Sequence, residues 1–298
     1  MKYKLLVLDV DGTLLNKEKE ISARTLSTLL KIQQMGVRIV LASGRPTFGI
    51  RPIALKLEPD KNDGFILSYN GGQIISMQKE ELLFEKRINP EMLAYLEKKA
   101  TESGFDVFTY HQDKIYTNNP FNEYITREAH INRMGVLSFE HLAPHIDFAP
   151  CKFMIAGKRE DHLIKLEERW KKRLNGVLDV FRSEPYFLEV VPNFIDKANT
   201  LGVLLEKLSV KPEEVMAIGD GVCDFSMIQL AGLGVAMGNA QDSVKACADI
   251  VTTSNDEDGV ALAVENNILA EIHPSEIPLD ELNARARHAL MGNLGIQY

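Results

Sequence analysis

The segment Leu5-Leu6-Val7-Leu8-Asp9-Val10-Asp11-Gly12-Thr13-Leu14 ends an apolar run in two aspartates one residue apart. A run from Lys4 to Leu8 reads as a buried strand that delivers both carboxylates to its C-terminal tip. Carboxylates crowded together repel and raise each other's pKa. A divalent cation removes that penalty, and hard oxygen ligands suit Mg²⁺. In open α/β sheets the strand tips face the ligand crevice. The residues therefore predict an acidic, metal-holding mouth on a parallel sheet.

The order of segments supports that sheet. Ser22 caps a helix that runs through Leu26, Leu29 and Ile32 and ends near Gly36. Val37–Ala42 and Phe65–Ser68 read as further buried strands. Asn70-Gly71-Gly72 marks a tight turn into Gln73–Ser76. Strand–helix–strand repetition with short links implies right-handed crossovers. From about Phe84 to Val190 the pattern changes. A helix near Pro90–Ser103, paired strands at Phe105–Tyr110 and Lys114–Thr117, a helix near Asp161–Leu174 and strands at Val177–Phe181 and Tyr186–Val191 predict an α+β insert with an antiparallel sheet. The first alternation resumes with a helix over Lys197–Leu208 and a strand over Val215–Asp220, then short strand-like segments at Leu233–Ala240 and Asp249–Thr252. The expected fold class is α/β: a Rossmann-like three-layer core with a parallel sheet, plus an inserted α+β cap domain. The core spans 1–83 and 191–271, the cap 84–190, and a tail without recognisable chemistry 272–298.

A second acidic pair, Asp220 and Asp224, follows a buried strand just as the first does. Two such tips side by side would gather four carboxylates around one cation. Ser43, at a third tip, offers a hydroxyl, and Lys197 opens the helix that follows the insert. Gly12 lets the chain turn after Asp11, leaving amides free to face an anion. Carboxylates, hydroxyl, lysine and metal are the parts of phosphoryl transfer, where a protein mostly positions groups and neutralises charge.

Asp9-Val10-Asp11-Gly12-Thr13-Leu14, Ser43-Gly44-Arg45, Lys197 and Gly219-Asp220 through Asp224 resemble, in order and spacing, the four motifs of the haloacid dehalogenase superfamily. Asn70-Gly71-Gly72 and Met237-Gly238-Asn239-Ala240 resemble further marks of its Cof-type branch of sugar-phosphate and small-metabolite phosphatases. The resemblance implies a large cap between the second and third motifs, where the insert falls. It implies Asp9 as nucleophile and Asp11 as general acid and base. Asp9, Asp11 (through its backbone carbonyl), Asp220 and Asp224 would hold Mg²⁺. Thr13, Ser43, Gly44 and Lys197 would bind the phosphoryl group, and Arg45, Asn70, Gly71 and Asn239 would line the substrate side. The chain departs from the pattern at Cys223, where the family has Asn, and at Ala198, where it has Gly.

The implied activity is a Mg²⁺-dependent phosphatase of small phosphorylated metabolites, with sugar phosphates foremost, working through an aspartyl-phosphate. The alternatives are a non-catalytic sugar-phosphate-binding protein, a phosphomutase, and a signalling receiver. The large insert argues against the receiver. A net charge of -8 argues against general nucleic-acid binding. Cys151, Cys223 and Cys247 show no paired spacing, which suits a reducing cytoplasm. No segment has the length of a membrane span. His141 and His145 flank Pro144 and read as loop residues. Phe105, Phe108, Tyr110 and Tyr116 read as the insert's own core, and the basic run around Trp170 as a solvated helix face. The sequence sets no oligomeric state.

Overall fold

The computed structural model describes residues 2–270; the expected tail at 272–298 lies outside the described residues. The chain opens with β1 (Leu5–Leu8), α1 (Ala23–Gln34), β2 (Arg38–Ala42), α2 (Thr47–Ala54), β3 (Phe65–Ser68), β4 (Gln73–Ser76) and β5 (Leu82–Glu85). The insert follows with α3 (Glu91–Thr101), β6 (Asp106–His111), β7 (Lys114–Thr117), α4 (Glu123–Asn132), β8 (Gly135–Ser138), β9 (Phe153–Ala156), α5 (Glu160–Arg173), β10 (Leu178–Glu184) and β11 (Phe187–Pro192). The chain then returns with α6 (Lys197–Leu208), β12 (Val215–Gly219), α7 (Phe225–Leu230), β13 (Leu233–Ala236), α8 (Asp242–Cys247), β14 (Ile250–Val251) and α9 (Gly259–Val264).

Two sheets result. The first has the order β14-β13-β12-β1-β2-β3-β4-β5. Strands from β14 to β3 pair in parallel, and β4 and β5 extend the sheet antiparallel. The parallel sheet expected from the sequence is present, lengthened by the Asn70 turn and its hairpin. Alternation of side chains across β1 explains the three layers. Leu6 and Leu8 pack with Leu29 and Ile32 of α1 on one face, while Leu5 and Val7 pack with Leu201, Leu204 and Leu205 of α6 on the other. Each fully buried leucine contributes roughly 1.5–3 kcal/mol relative to exposure.

The second sheet has the order β10-β11-β9-β6-β7-β8 and belongs to the insert. It is antiparallel except for the β7–β8 pair. Phe105, Phe108 and Tyr110 are buried against it, and Tyr116 of β7 is partly buried there. Trp170 is the buried side of α5, with Lys171, Lys172 and Arg173 exposed. Strand pairing carries β5 to Glu85 in the first sheet and β11 to Pro192 in the second.

Helix α1 begins as expected, with the Ser22 side chain accepting from the Thr25 N–H. Helix α2 has no comparable local signal. It contains Gly49 and Pro52, both poor helix formers, and burial of Ile50 and Ile53 against the first sheet holds it in place.

The Asn70 turn is fixed by contact with α6. Gly71 has φ +107, and a Cβ there would lie 2.6 Å from the Asp196 carbonyl oxygen. The Gly71 carbonyl also accepts from Thr200 Oγ1 at 2.8 Å. Gly71→Ala should lower stability by about 1–3 kcal/mol through backbone strain, before any steric cost. Urea unfolding followed by circular dichroism measures this, and an unchanged midpoint would contradict the packing described.

Candidate active site

Pairing of β1 with β12 sets Leu8 beside Ile218, and the Asp9 N–H continues the ladder to the Ile218 carbonyl at 3.0 Å. Asp9 directly follows β1 and Asp220 directly follows β12. Gly12 has φ +83, and a Cβ there would collide with the Asp220 carboxylate. That position requires glycine on both counts. Thr13 Oγ1 donates to Asp220 Oδ1 at 2.9 Å.

Asp9, Asp220 and Asp224 can each offer a carboxylate oxygen within 4.8 Å of the others. Lys197, the first residue of α6 and 1% exposed, enters this group. Its Nζ lies 2.7 Å from Asp9 Oδ1 and 2.5 Å from Asp224 Oδ1. A lysine at a helix N-terminus opposes the helix dipole, so these two carboxylates must hold it there. Asp224 turns its other oxygen, Oδ2, to the backbone N–H groups of Asp220 and Gly221 at 3.0 and 2.9 Å. It is therefore the carboxylate most fully tied to the fold.

The electrostatics follow. Burial and then the Asp224 charge push Asp9 well above the usual carboxylate range, against the pull of Lys197. Burial pushes Asp220 up to about 6, opposed by the Thr13 hydrogen bond. Burial alone would discharge Lys197, but Asp224 and Asp9 outweigh it and hold the ammonium firmly. Three carboxylates less one ammonium leave two negative charges, the charge of one divalent cation. Clustered hard oxygens with this charge balance fit Mg²⁺.

Asp11 stands apart from that group. Its carboxylate is gripped by Arg45 in a fork, Nε to Oδ2 at 2.5 Å and Nη2 to Oδ1 at 2.6 Å, with Lys19 at 3.0 Å. Burial raises its pKa, but the Arg45 bond and charge, with Lys19, prevail and lower it. Among the residues expected to hold metal, only the Asp11 side chain lies outside the carboxylate group, which leaves its backbone carbonyl as the atom assigned to that role.

Ser43 is buried at the tip of β2, and its Oγ accepts from the Arg45 N–H at 3.2 Å. Thr13 is occupied by Asp220. Asn70 is buried with φ +55; its Nδ2 meets Glu189 Oε2 at 3.3 Å and its Oδ1 has no hydrogen-bond partner. Asn239 is exposed and ties two loops, donating to the Gly12 carbonyl at 2.8 Å and accepting from the Asn255 N–H. Gly71 sits against the start of α6, as described. Cys223 is exposed, yet burial of its thiol group first, and the charges of Asp224, Asp9 and Glu189, push that thiol up against the pull of Lys197. His141 and His145 belong to no cluster able to hold a metal among the described residues.

The insert contributes residues that sequence reading passed over. Lys152 and Glu189 form a buried ion pair at 3.1 Å, and Lys152 Nζ donates to the Gly44 carbonyl at 2.9 Å. Their signal in the sequence is a charge inside an apolar run, Cys151-Lys152-Phe153-Met154 and Phe187-Leu188-Glu189-Val190. Such charges are seldom fully buried unless paired.

Asp220 binds a proton in the folded chain between its reference value of 3.8 and about 6 that the unfolded chain has released. Stability without metal should therefore fall as pH rises through this window, and Asp9 adds a fall of the same sign. Saturating Mg²⁺ should abolish the fall, and Asp220→Asn should flatten it. Thermal unfolding from about pH 4 to about pH 7, in EDTA and in Mg²⁺, measures both. Parallel profiles in the two buffers would refute the charge balance.

Residues 6–264 match the haloacid dehalogenase-like hydrolase family. The chain is 33% identical over 267 residues to the 5-amino-6-(5-phospho-D-ribitylamino)uracil phosphatase YcsE of Bacillus subtilis, covering 89% of this chain and 96% of that protein. A haloacid dehalogenase-like hydrolase from Bacteroides thetaiotaomicron shares 49% identity at a TM-score of 0.85, over 89% of this chain and 99% of the other. A sugar phosphatase of subclass IIB shares 27% identity at a TM-score of 0.72, over 88% of this chain and 98% of the other. With its doubly covered parallel sheet and large α/β insert, the chain belongs to the haloacid dehalogenase-like hydrolases, as a capped phosphoric monoester hydrolase of the Cof type.

Proposed function

We propose that this protein is a Mg²⁺-dependent phosphatase of small phosphorylated metabolites, sugar phosphates foremost, acting through an aspartyl-phosphate. The observation that carries the reading is the grip of Lys197 on Asp9 beside Asp220 and Asp224. Lys197 engages Asp9 Oδ1 and leaves Oδ2 as the oxygen to attack phosphorus. Asp9, Asp220 and Asp224, with the Asp11 carbonyl, would hold Mg²⁺, which supplies charge neutralisation for the phosphoryl oxygens. Lys197 adds a fixed positive charge at the same place, and Ser43, the Gly44 loop and Thr13, the last through its backbone N–H because its hydroxyl proton goes to Asp220, would supply hydrogen-bond donors to those oxygens.

Asp11 takes the proton-transfer role. The Arg45 fork keeps its carboxylate ionised in this arrangement, which is the base form that accepts a proton from water in the second step. In the first step it must instead carry a proton to the leaving oxygen, so Arg45 has to yield. We assign 1–83 and 191–271 to the catalytic core and 84–190 to the cap, which excludes water and reads the leaving group. Arg45, Asn70, Gly71 and Asn239 stay assigned to the substrate side. Of these, Arg45 and Asn70 lie beside Asp11 and Glu189.

Sugar phosphates are favoured because one relative carries a phosphorylated ribityl chain in its named substrate and another is named a sugar phosphatase. The free cysteines suit a reducing cytoplasm. The intact Lys197–Asp9–Asp224 group favours turnover over the non-catalytic reading, although Cys223 replaces an amide.

A screen of phosphorylated metabolites for released phosphate, with Mg²⁺ and with EDTA, tests the activity and its metal requirement. Release that persists in EDTA would reject the metal role, and an isomerised sugar phosphate in place of free phosphate would identify a mutase. Asp9→Asn should abolish turnover while the protein still melts cooperatively; near-normal release would reject Asp9 as nucleophile. Cys223→Asn should preserve or raise kcat, and a large loss would give the thiol a role of its own.

A further inference from the structure

The Lys152–Glu189 pair is buried on both sides, with side chains 3% and 5% exposed. Taking two charges out of water is costly, and such a pair adds little to stability compared with apolar residues of similar size. Its contacts show another use. Both residues belong to the insert, Lys152 just before β9 and Glu189 in β11; Lys152 reaches across to the loop after β2 and Glu189 to the Asn70 turn after β3. Lys152 Nζ donates to the Gly44 carbonyl at 2.9 Å. That carbonyl shares a peptide plane with the Arg45 N–H, which donates to Ser43 Oγ at 3.2 Å. Glu189 accepts from Asn70 Nδ2 at 3.3 Å, and the Asn70 N–H donates to the Ser43 carbonyl at 3.0 Å. One insert residue is thus linked to the Ser43 hydroxyl and the other to its backbone.

We propose that Lys152 and Glu189 are positioning residues through which the seated cap aims the Ser43 hydroxyl at the phosphoryl group. This rests on the phosphatase reading above. With the Arg45 N–H occupying a lone pair of Ser43 Oγ, the hydroxyl proton is free to donate to a phosphoryl oxygen. Fixing the Gly44–Arg45 peptide from its carbonyl side fixes the N–H on its other side, because the peptide is planar. Cap seating then governs the phosphate grip even for a substrate with nothing for the cap to read.

The test uses phenyl phosphate, whose leaving group is small and apolar, with inorganic phosphate as inhibitor. The variant Lys152→Met with Glu189→Gln leaves no lone buried charge. It should lower kcat about tenfold or more and weaken phosphate inhibition by a similar factor. In a Ser43→Ala background the same pair of substitutions should change kcat by less than about threefold, since the group they act through is gone. If the paired variant does not fold, Lys152→Arg, which retains the charge beside Glu189, should still lower kcat, and that loss should vanish with Ser43→Ala. Wild-type kcat in a folded variant, or losses that multiply with Ser43→Ala, would overturn the positioning role while leaving the phosphatase reading intact. A wild-type enzyme that releases no phosphate from any compound would overturn both, and a wild-type enzyme active on other metabolites moves the same comparison to its best substrate.

Discussion

Lys197 between Asp9 and Asp224 is the contact on which the site depends. It joins the end of the first strand to the helix after the insert, 188 positions on, and to the loop after β12, a further 27 positions along. Without the ammonium, three clustered carboxylates, those of Asp9 and Asp224 buried and that of Asp220 half-buried, would face each other. With it, the remaining charge equals that of one divalent ion. The interaction therefore sets both the geometry of Asp9, the proposed nucleophile, and the charge left for a cation to balance. Burial is what gives it force, because the same pair in water would be worth little.

A second layer of control lies in the division of labour between the two acids of the first motif. Asp9 is buried and turned to Lys197, while Asp11, two residues on, is turned to Arg45 and Lys19. Alternation along an extended backbone sends neighbours-but-one to the same side, but the chain leaves β1 after Leu8 and turns from Val10 on, which breaks that rule between the two acids. Two identical side chains thus meet opposite environments, one raising and one lowering the pKa. Separated environments of this kind let one carboxylate attack while the other moves protons.

Much of this was legible along the chain. The apolar runs of β1, β2, β3 and β12, each bounded by a turn or an acid, pointed to a parallel sheet. The changed rhythm after Phe84 pointed to an insert. Ser22 and Lys197 marked helix starts correctly. Helix α2 was not legible, because Gly49 and Pro52 carry turn signals and only packing of Ile50 and Ile53 overrides them. Lys152 and Glu189 were not legible because each is a single charge in an apolar run, and nothing local says that two such charges 37 positions apart come within 3.1 Å of each other.

By itself the sequence determined the strand tips, their acids and the family pattern, because these depend on short-range periodicity and spacing. Tertiary structure alone decided partners. Pairing of Leu8 with Ile218 brought Asp9 to Asp220, Arg45 claimed Asp11, and the insert placed Lys152 on the Gly44 carbonyl. Those choices depend on which buried charges can meet once the sheets are packed, and packing joins residues that linear order keeps far apart.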